Sequence, residues 1–129
     1  MRVFGMEATI LNVHDGDTMY GHIDQGLGVW NYGLSRNGMG LRLYGCNARE
    51  LKDPGGQEAR DNLARLVPVG STIPIVVADW DKWAGRIDVL ITLPEVGDLT
   101  SHLMSQQWVA GPYYGTGPKP VPPWPRSPR

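Results

Sequence analysis

One cysteine, Cys46, is all the thiol chemistry that the 129 residues carry. An internal disulfide and a thiolate zinc cluster built from one chain are both excluded. Flanked by strand-like residues, Cys46 reads as a small buried hydrophobe rather than a reactive thiol. Long apolar runs are also missing: none approaches the roughly 20 residues that a membrane-spanning helix needs. The opening Met1-Arg2-Val3-Phe4-Gly5-Met6-Glu7 lacks the apolar stretch of a signal peptide. The expectation is a cytoplasmic chain with no membrane partner. Histidine is scarce, and His14, His22 and His102 have no metal-ligand spacing, so they read as structural or surface residues. There is no P-loop, no zinc spacing and no local Ser-His-Asp context. Gly26-Leu27-Gly28 is not followed by a helical pattern, so it is no dinucleotide fingerprint.

An excess of positive charge is absent as well. Net charge is −1, which does not advertise a nucleic-acid binder. Its distribution is uneven: residues 1–98 hold nine basic and all thirteen acidic side chains, whereas 99–129 hold Lys119, Arg126 and Arg129 and no acid. Nucleic acid would therefore be handled by a few placed arginines rather than a broad basic face. Modest affinity and easy turnover follow, which suit an enzyme better than a stable binder.

What is present is a globular composition, 41% hydrophobic and 19% charged, of a length that suits one domain. Seventeen glycines and eleven prolines favour a turn-rich, mainly β architecture. Met6 to His14 and Thr18 to Asp24 read as two strands of a hairpin around Asp15-Gly16-Asp17, with Gly16 free to take positive φ. Gln25 to Gly40 is expected to be a long loop or irregular strand extension. Leu41 to Cys46 reads as a third strand, ending in an Asn47-Ala48-Arg49-Glu50 turn. A helix should follow, capped at Asp53 with Pro54 in its first turn and Ala59, Leu63, Leu66 and Val67 at helical spacing. Thr72 to Ala78 and Arg86 to Leu93 are two more strands, with Pro74 at an edge or a strand start. Asp98 can cap a second helix carrying Leu99, Leu103 and Met104.

Seven of the eleven prolines fall between Pro112 and Pro128. The reading is a domain over residues 1–115 and a Pro-rich tail over 116–129, extended and either draped on the domain or free. Strand, strand, strand, helix, strand, strand, helix, tail fits a closed five-stranded OB-fold barrel with two or three helices.

The chemistry-bearing residues are few. Cleaving a phosphodiester needs a positioned water, neutralised non-bridging oxygens and in-line geometry. Asp17 offers a hard oxygen ligand in a tight turn, Asn47 an amide oxygen and Ala48 a backbone carbonyl. Glu50 is close enough in sequence to orient or deprotonate a water. Arg42 and Arg86 can each grip a phosphate with two parallel hydrogen bonds. Singly, each has a plain alternative: a hairpin turn, a surface ion pair, a solvated arginine.

Their joint order is more specific. Asp15-Gly16-Asp17-Thr18, then Arg42-Leu43-Tyr44-Gly45-Cys46-Asn47-Ala48-Arg49-Glu50, then Gly56-Gln57-Glu58-Ala59-Arg60, then Gly85-Arg86, resembles the staphylococcal nuclease (thermonuclease) family over roughly residues 6–115. The Gly-x-Asn-Ala variant of the central turn is similar to short versions encoded by bacteriophages. The resemblance implies an OB-fold and Ca²⁺-dependent hydrolysis of single-stranded DNA or RNA that leaves 3′-phosphate ends. It implies Asp17, Asn47 and Ala48 as metal ligands, and Arg42, Glu50 and Arg86 as catalytic residues. It further implies Tyr113 or Tyr114 in the nucleotide pocket, with Trp83 a candidate for base stacking.

Three departures from the pattern stand out. Asn47 replaces the commoner Asp and should weaken cation binding. Arg49 replaces a proline and would touch a phosphate or point into water. Trp83-Ala84-Gly85 carries one residue more than the usual Tyr-Gly. A nucleic-acid or protein binding module, and an interaction protein working through its tail, are the competing readings. Retention of Asp17, Arg42, Glu50 and Arg86 together favours catalysis.

Overall fold

The computed structural model describes residues 4–33, 38–81 and 86–126. Alternation of apolar and polar residues builds most of it. In β2 (Thr18–Asp24), Met19 and Ile23 are buried while Tyr20, His22 and Asp24 face outward. In β7 (Arg86–Leu93), Ile87, Val89, Ile91 and Leu93 are buried in the same period-two pattern. These strands join β1 (Phe4–Val13), β4 (Met39–Leu43) and β6 (Thr72–Asp81) into one barrel. β1 pairs with β2, β2 with β4, β4 with β7, β7 with β6, and β6 returns to β1, so all five strands are closed into a ring. Among the described strands of this ring, β4 and β7 are the pair that runs parallel. Closure removes the exposed edges that an open sheet of this size would present.

Ile10, Met19, Leu41, Leu43, Ile75, Val89 and Ile91 fill the interior, almost wholly buried. Each such side chain stabilises the fold by about 1.5–3 kcal/mol. Pro74 lies near the start of β6, before the pairing with β7 begins at Ile75, so its missing N–H costs no bond between those two strands. The barrel thus holds the strands at the places expected from their alternation, and two helices accompany it among the described residues. No described helix is long and apolar enough to cross a membrane.

The differences from expectation are local. The third strand does not run through Cys46. β4 stops at Leu43, Gly45 takes φ 88°, and a separate strand β5 (Gly45–Ala48) pairs with β9 (Val109–Tyr113) outside the barrel. The segment after Asp24 contains a two-residue strand, β3 (Trp30–Asn31), paired with β2. Helix α1 (Gly56–Leu66) is not capped by Asp53. Its N-cap is Gly55 at φ 87°, with no side-chain cap, while the Asp53 carbonyl accepts from the Gly56 N–H. A left-handed cap is open to glycine at little cost, whereas Asp53 is committed to the preceding turn through its own N–H to the Glu50 carbonyl. Helix α2 (Leu99–Ser105) begins as expected. Asp98, the last residue of the short strand β8 (Gly97–Asp98), accepts from the Ser101 N–H at 3.0 Å and its hydroxyl at 2.7 Å.

Candidate active site

The turn between β1 and β2 sets the site. Gly16 is not at positive φ; its need for glycine is spatial. A Cβ there would come within 2.8 Å of the Cβ atoms of both Ala48 and Ala59, so the turn is pressed between β5 and α1. That close approach brings Asp17 to Ala48, whose N–H donates to Asp17 Oδ2 at 2.9 Å. The Thr18 hydroxyl donates to Asp17 Oδ1 at 2.8 Å. Asp17 is only 2% exposed, and a buried carboxylate is tolerated because its oxygens are satisfied in this way.

Arg42 supplies the countercharge. On β4, opposite Thr18, its Nη2 lies 3.4 Å from Asp17 Oδ2. The same nitrogen donates to Asn47 Oδ1 and to the Cys46 carbonyl, each at 3.3 Å. Asp17, Arg42, Asn47 and Ala48, far apart in sequence, therefore form one cluster. Cys46 beside them is fully buried, and burial followed by the Asp17 charge pushes its thiol up to about 12, so it is no nucleophile.

Asp15 belongs to this cluster and was not singled out from the sequence. Its Oδ1 accepts from the Asp17 N–H at 3.1 Å. Burial first, then the neighbouring Asp17 carboxylate, raise its carboxyl from 3.8 to about 7. The signal available was the Asp-x-Asp spacing itself, which puts two carboxylates in one turn. Among the described residues no three His, Cys, Asp or Glu side chains gather as a metal cluster. Two carboxylates that repel one another until one holds a proton, with the Asn47 amide oxygen nearby, nevertheless fit a hard divalent cation, which would displace the proton.

A pH dependence follows. The folded chain keeps a proton on Asp15 that the unfolded chain loses near 3.8, so this residue's contribution is most favourable below 3.8 and is lost as pH rises through about 7. A divalent cation, were Asp15 and Asp17 to hold one, would offset that loss. The rise in Tm on adding Ca²⁺ should therefore be small at pH 5 and larger at pH 8, and Asp15→Asn should flatten the difference. Thermal melts at the two pH values check it.

Beside this cluster opens a cavity of about 380 Å³. Arg42 and Arg86 line it together, with Tyr44, Tyr113, Tyr114 and Trp80 as aromatic walls and Asp79 and Asp88 among the remaining lining. Parallel pairing of β4 with β7 sets Gly40 opposite Arg86 and Arg42 opposite Asp88, which is why two arginines 44 positions apart share one opening. The Arg42 guanidinium lies 5.7 Å from the Tyr113 ring centroid. Tyr113 ends β9, so the unanticipated β5–β9 pairing is what carries the tyrosines to the arginines. Trp80, at 63% exposure, is an aromatic that the sequence reading left without a role. Trp83, the expected stacking residue, lies outside the described residues.

Glu50 is not part of the cavity lining. Its exposed carboxylate lies 3.5 Å from Lys52 Nζ, on the turn that leads into α1. Such an exposed pair holds its geometry weakly, by about 1 kcal/mol or less.

Over its described residues, 116–126, the proline-rich tail lies against the domain. Asn47 Nδ2 donates to the Pro120 carbonyl at 2.9 Å, and Arg49 Nε to the Pro122 carbonyl at 3.1 Å. Trp124 sits against Gly55, where a Cβ would come within 2.6 Å of its ring. Arg126 donates to the Gln106 carbonyl at 2.8 Å and lies 3.4 Å over the Trp108 ring. For Arg49 the Pro122 carbonyl is a partner that its sequence position did not suggest. Asn47 likewise has two tasks: its oxygen faces Arg42 and its NH₂ holds the tail.

Asn47→Asp tests that division. A carboxylate cannot donate to Pro120, so the cation-free variant should melt several degrees lower, about the worth of one hydrogen bond plus carbonyl repulsion. The added negative charge should make Ca²⁺ bind more tightly than in the parent. Calorimetry and melts read both changes. No protein-family model matches the chain, and no curated protein matches it.

Proposed function

We propose that the chain is a Ca²⁺-dependent nuclease on an OB-fold, hydrolysing single-stranded DNA or RNA to 3′-phosphate ends, as its resemblance to the staphylococcal nuclease family implies. The observation that carries this reading is the position of Arg42. One guanidinium touches the Asp17–Asn47 cluster and also lines, with Arg86, a cavity walled by four aromatic rings.

Asp15, Asp17 and the Asn47 amide oxygen, with the Ala48 carbonyl, are the groups that would hold the cation. When bound, calcium supplies positive charge at a non-bridging phosphate oxygen. Arg42 and Arg86 donate to the other phosphate oxygens and stabilise the charge that builds as water attacks phosphorus. Glu50, released from Lys52, takes the proton of that water. The bond from phosphorus to the 5′ oxygen breaks, that oxygen leaves as a hydroxyl by taking a proton from solvent water, and the phosphate stays on the 3′ side. Tyr113, Tyr114 and Trp80 stack on or enclose the base, which fixes the phosphate relative to the arginines.

A binding module on the same barrel is the second reading. The position of Glu50, paired with Lys52 away from the cavity lining, favours it. Incubation of the protein with denatured DNA and Ca²⁺, with and without chelator, separates the two. Chelator-sensitive products bearing 3′-phosphate support the nuclease; retention of intact strands with measurable binding supports the module.

A further inference from the structure

The outer face of β2 is aromatic beyond what a barrel wall needs. Tyr20 and His22 alternate outward along it, and β3 adds Trp30 opposite Asp24. Tyr32, just past β3, stands edge-on to His22 with ring centroids 4.7 Å apart. Trp30 and Tyr32 are nearly parallel, 12° between planes and 6.3 Å between centroids. Both remain open to solvent, Trp30 at 42% and Tyr32 at 57%. Large rings held in register yet left uncovered gain little for folding.

This ledge is continuous with the arginine cavity. Gly40 of β4 lies between Tyr20 on one side and Arg86 on the other. A Cβ at Gly40 would sit 3.5 Å from Tyr20 Cε1 and 3.4 Å from Arg86 Cβ, so the two side chains close over the glycine. From Tyr20 the face runs along β2 to His22, about 7 Å further on at two residues of strand, and then across to Tyr32 and Trp30. Neither β2 nor β3 contains a lysine or arginine. What these two strands offer a ligand is ring faces and not positive charge.

We propose that Trp30 and Tyr32, with His22 behind them, form a base-stacking subsite that holds the single strand beyond the nucleotide in the arginine cavity. The inference rests on the nuclease reading for its occupant. A strand leaving the Arg86 side of the cavity crosses Gly40, passes Tyr20 and lays its next bases on the ledge. Every base has a π face, so this subsite is tolerant of sequence, and it accounts for grip on a strand by a chain without a basic surface.

The test compares a dinucleotide with a 12-nucleotide single strand, using parent protein, Trp30→Ala/Tyr32→Ala and Trp30→Phe/Tyr32→Phe. Binding is read by anisotropy with labelled strands, and cleavage by product release, both with Ca²⁺. The alanine pair should weaken 12-mer binding by about 10–100-fold, leave the dinucleotide within about twofold, and keep the salt dependence of 12-mer binding unchanged. The phenylalanine pair should restore most of the loss. An equal loss on both lengths, or none on the 12-mer, overturns the subsite, including the case in which the ledge serves a protein partner instead. If the parent binds both strands but cuts neither, the nuclease reading fails while the length ratio still decides the ledge. If it binds neither, both fail.

Discussion

Arg42→Lys is expected to lower cleavage of denatured DNA by about 10²–10³-fold, the usual cost of removing one preorganised donor from developing charge. Lysine keeps the charge but not the planar fork. Arg42 now meets Asp17 Oδ2, Asn47 Oδ1 and the Cys46 carbonyl from one nitrogen while its Cζ lies 5.7 Å from the Tyr113 ring centroid. An ammonium can reach the buried Asp17 carboxylate, so the fold should survive, but it cannot also present a second parallel donor to a phosphate in the cavity. Circular dichroism close to that of the parent, with activity lost, is the expected pair of results. Loss of less than tenfold would mean that Arg42 serves the Asp17 carboxylate alone.

Ending the chain at Gly117 is the second large change. It removes the carbonyls that accept from Asn47 and Arg49, the Trp124 ring on Gly55, and the Arg126 contacts with Gln106 and Trp108. Two of the three hydrogen bonds have a charged donor, which makes them the stronger kind. Against the entropy of ordering the tail, a net loss of ~3 kcal/mol is expected, or a Tm lower by about 10 °C. The Asn47 amide would also lose the bond that fixes which end faces Arg42. Ca²⁺ affinity should fall by about fivefold, the worth of one neutral hydrogen bond. An unchanged Tm would show that the tail is only laid on the surface.

Several features were legible because local pattern and tertiary environment agree. Thr18–Asp24 and Arg86–Leu93 alternate cleanly, since one face of each strand is core, and Asp98 caps α2 through its own side chain. Asp17, Arg42 and Asn47 stand in one recognisable order and do gather in one cluster, and β4–β7 pairing sets Arg42 of that cluster on one opening with Arg86.

The remainder depended on contacts that no window of sequence contains. β9 includes Gly111 and Pro112, poor strand formers, and exists because β5 leaves the barrel and needs a partner. Asp15 looked like turn chemistry because the first cause of its raised carboxyl is burial, which packing sets, and only the second, Asp17, lies in the same stretch of sequence. Trp80 faces the cavity because β6 extends to Asp81, three residues past the Ala78 boundary expected from apolar content. Arg49 and Asn47 hold a tail more than seventy residues away in sequence.

Glu50 carries the most direct test. Its carboxylate stands outside the cavity lining and is paired with Lys52, yet the proposed reaction needs it to take a proton from water. Parent and Glu50→Gln should be incubated side by side with denatured DNA and Ca²⁺, with binding measured on the same samples. The proposal predicts unchanged binding and cleavage slowed by at least about 10²-fold, the low end for loss of a general base. Equal cleavage by the two proteins would contradict it.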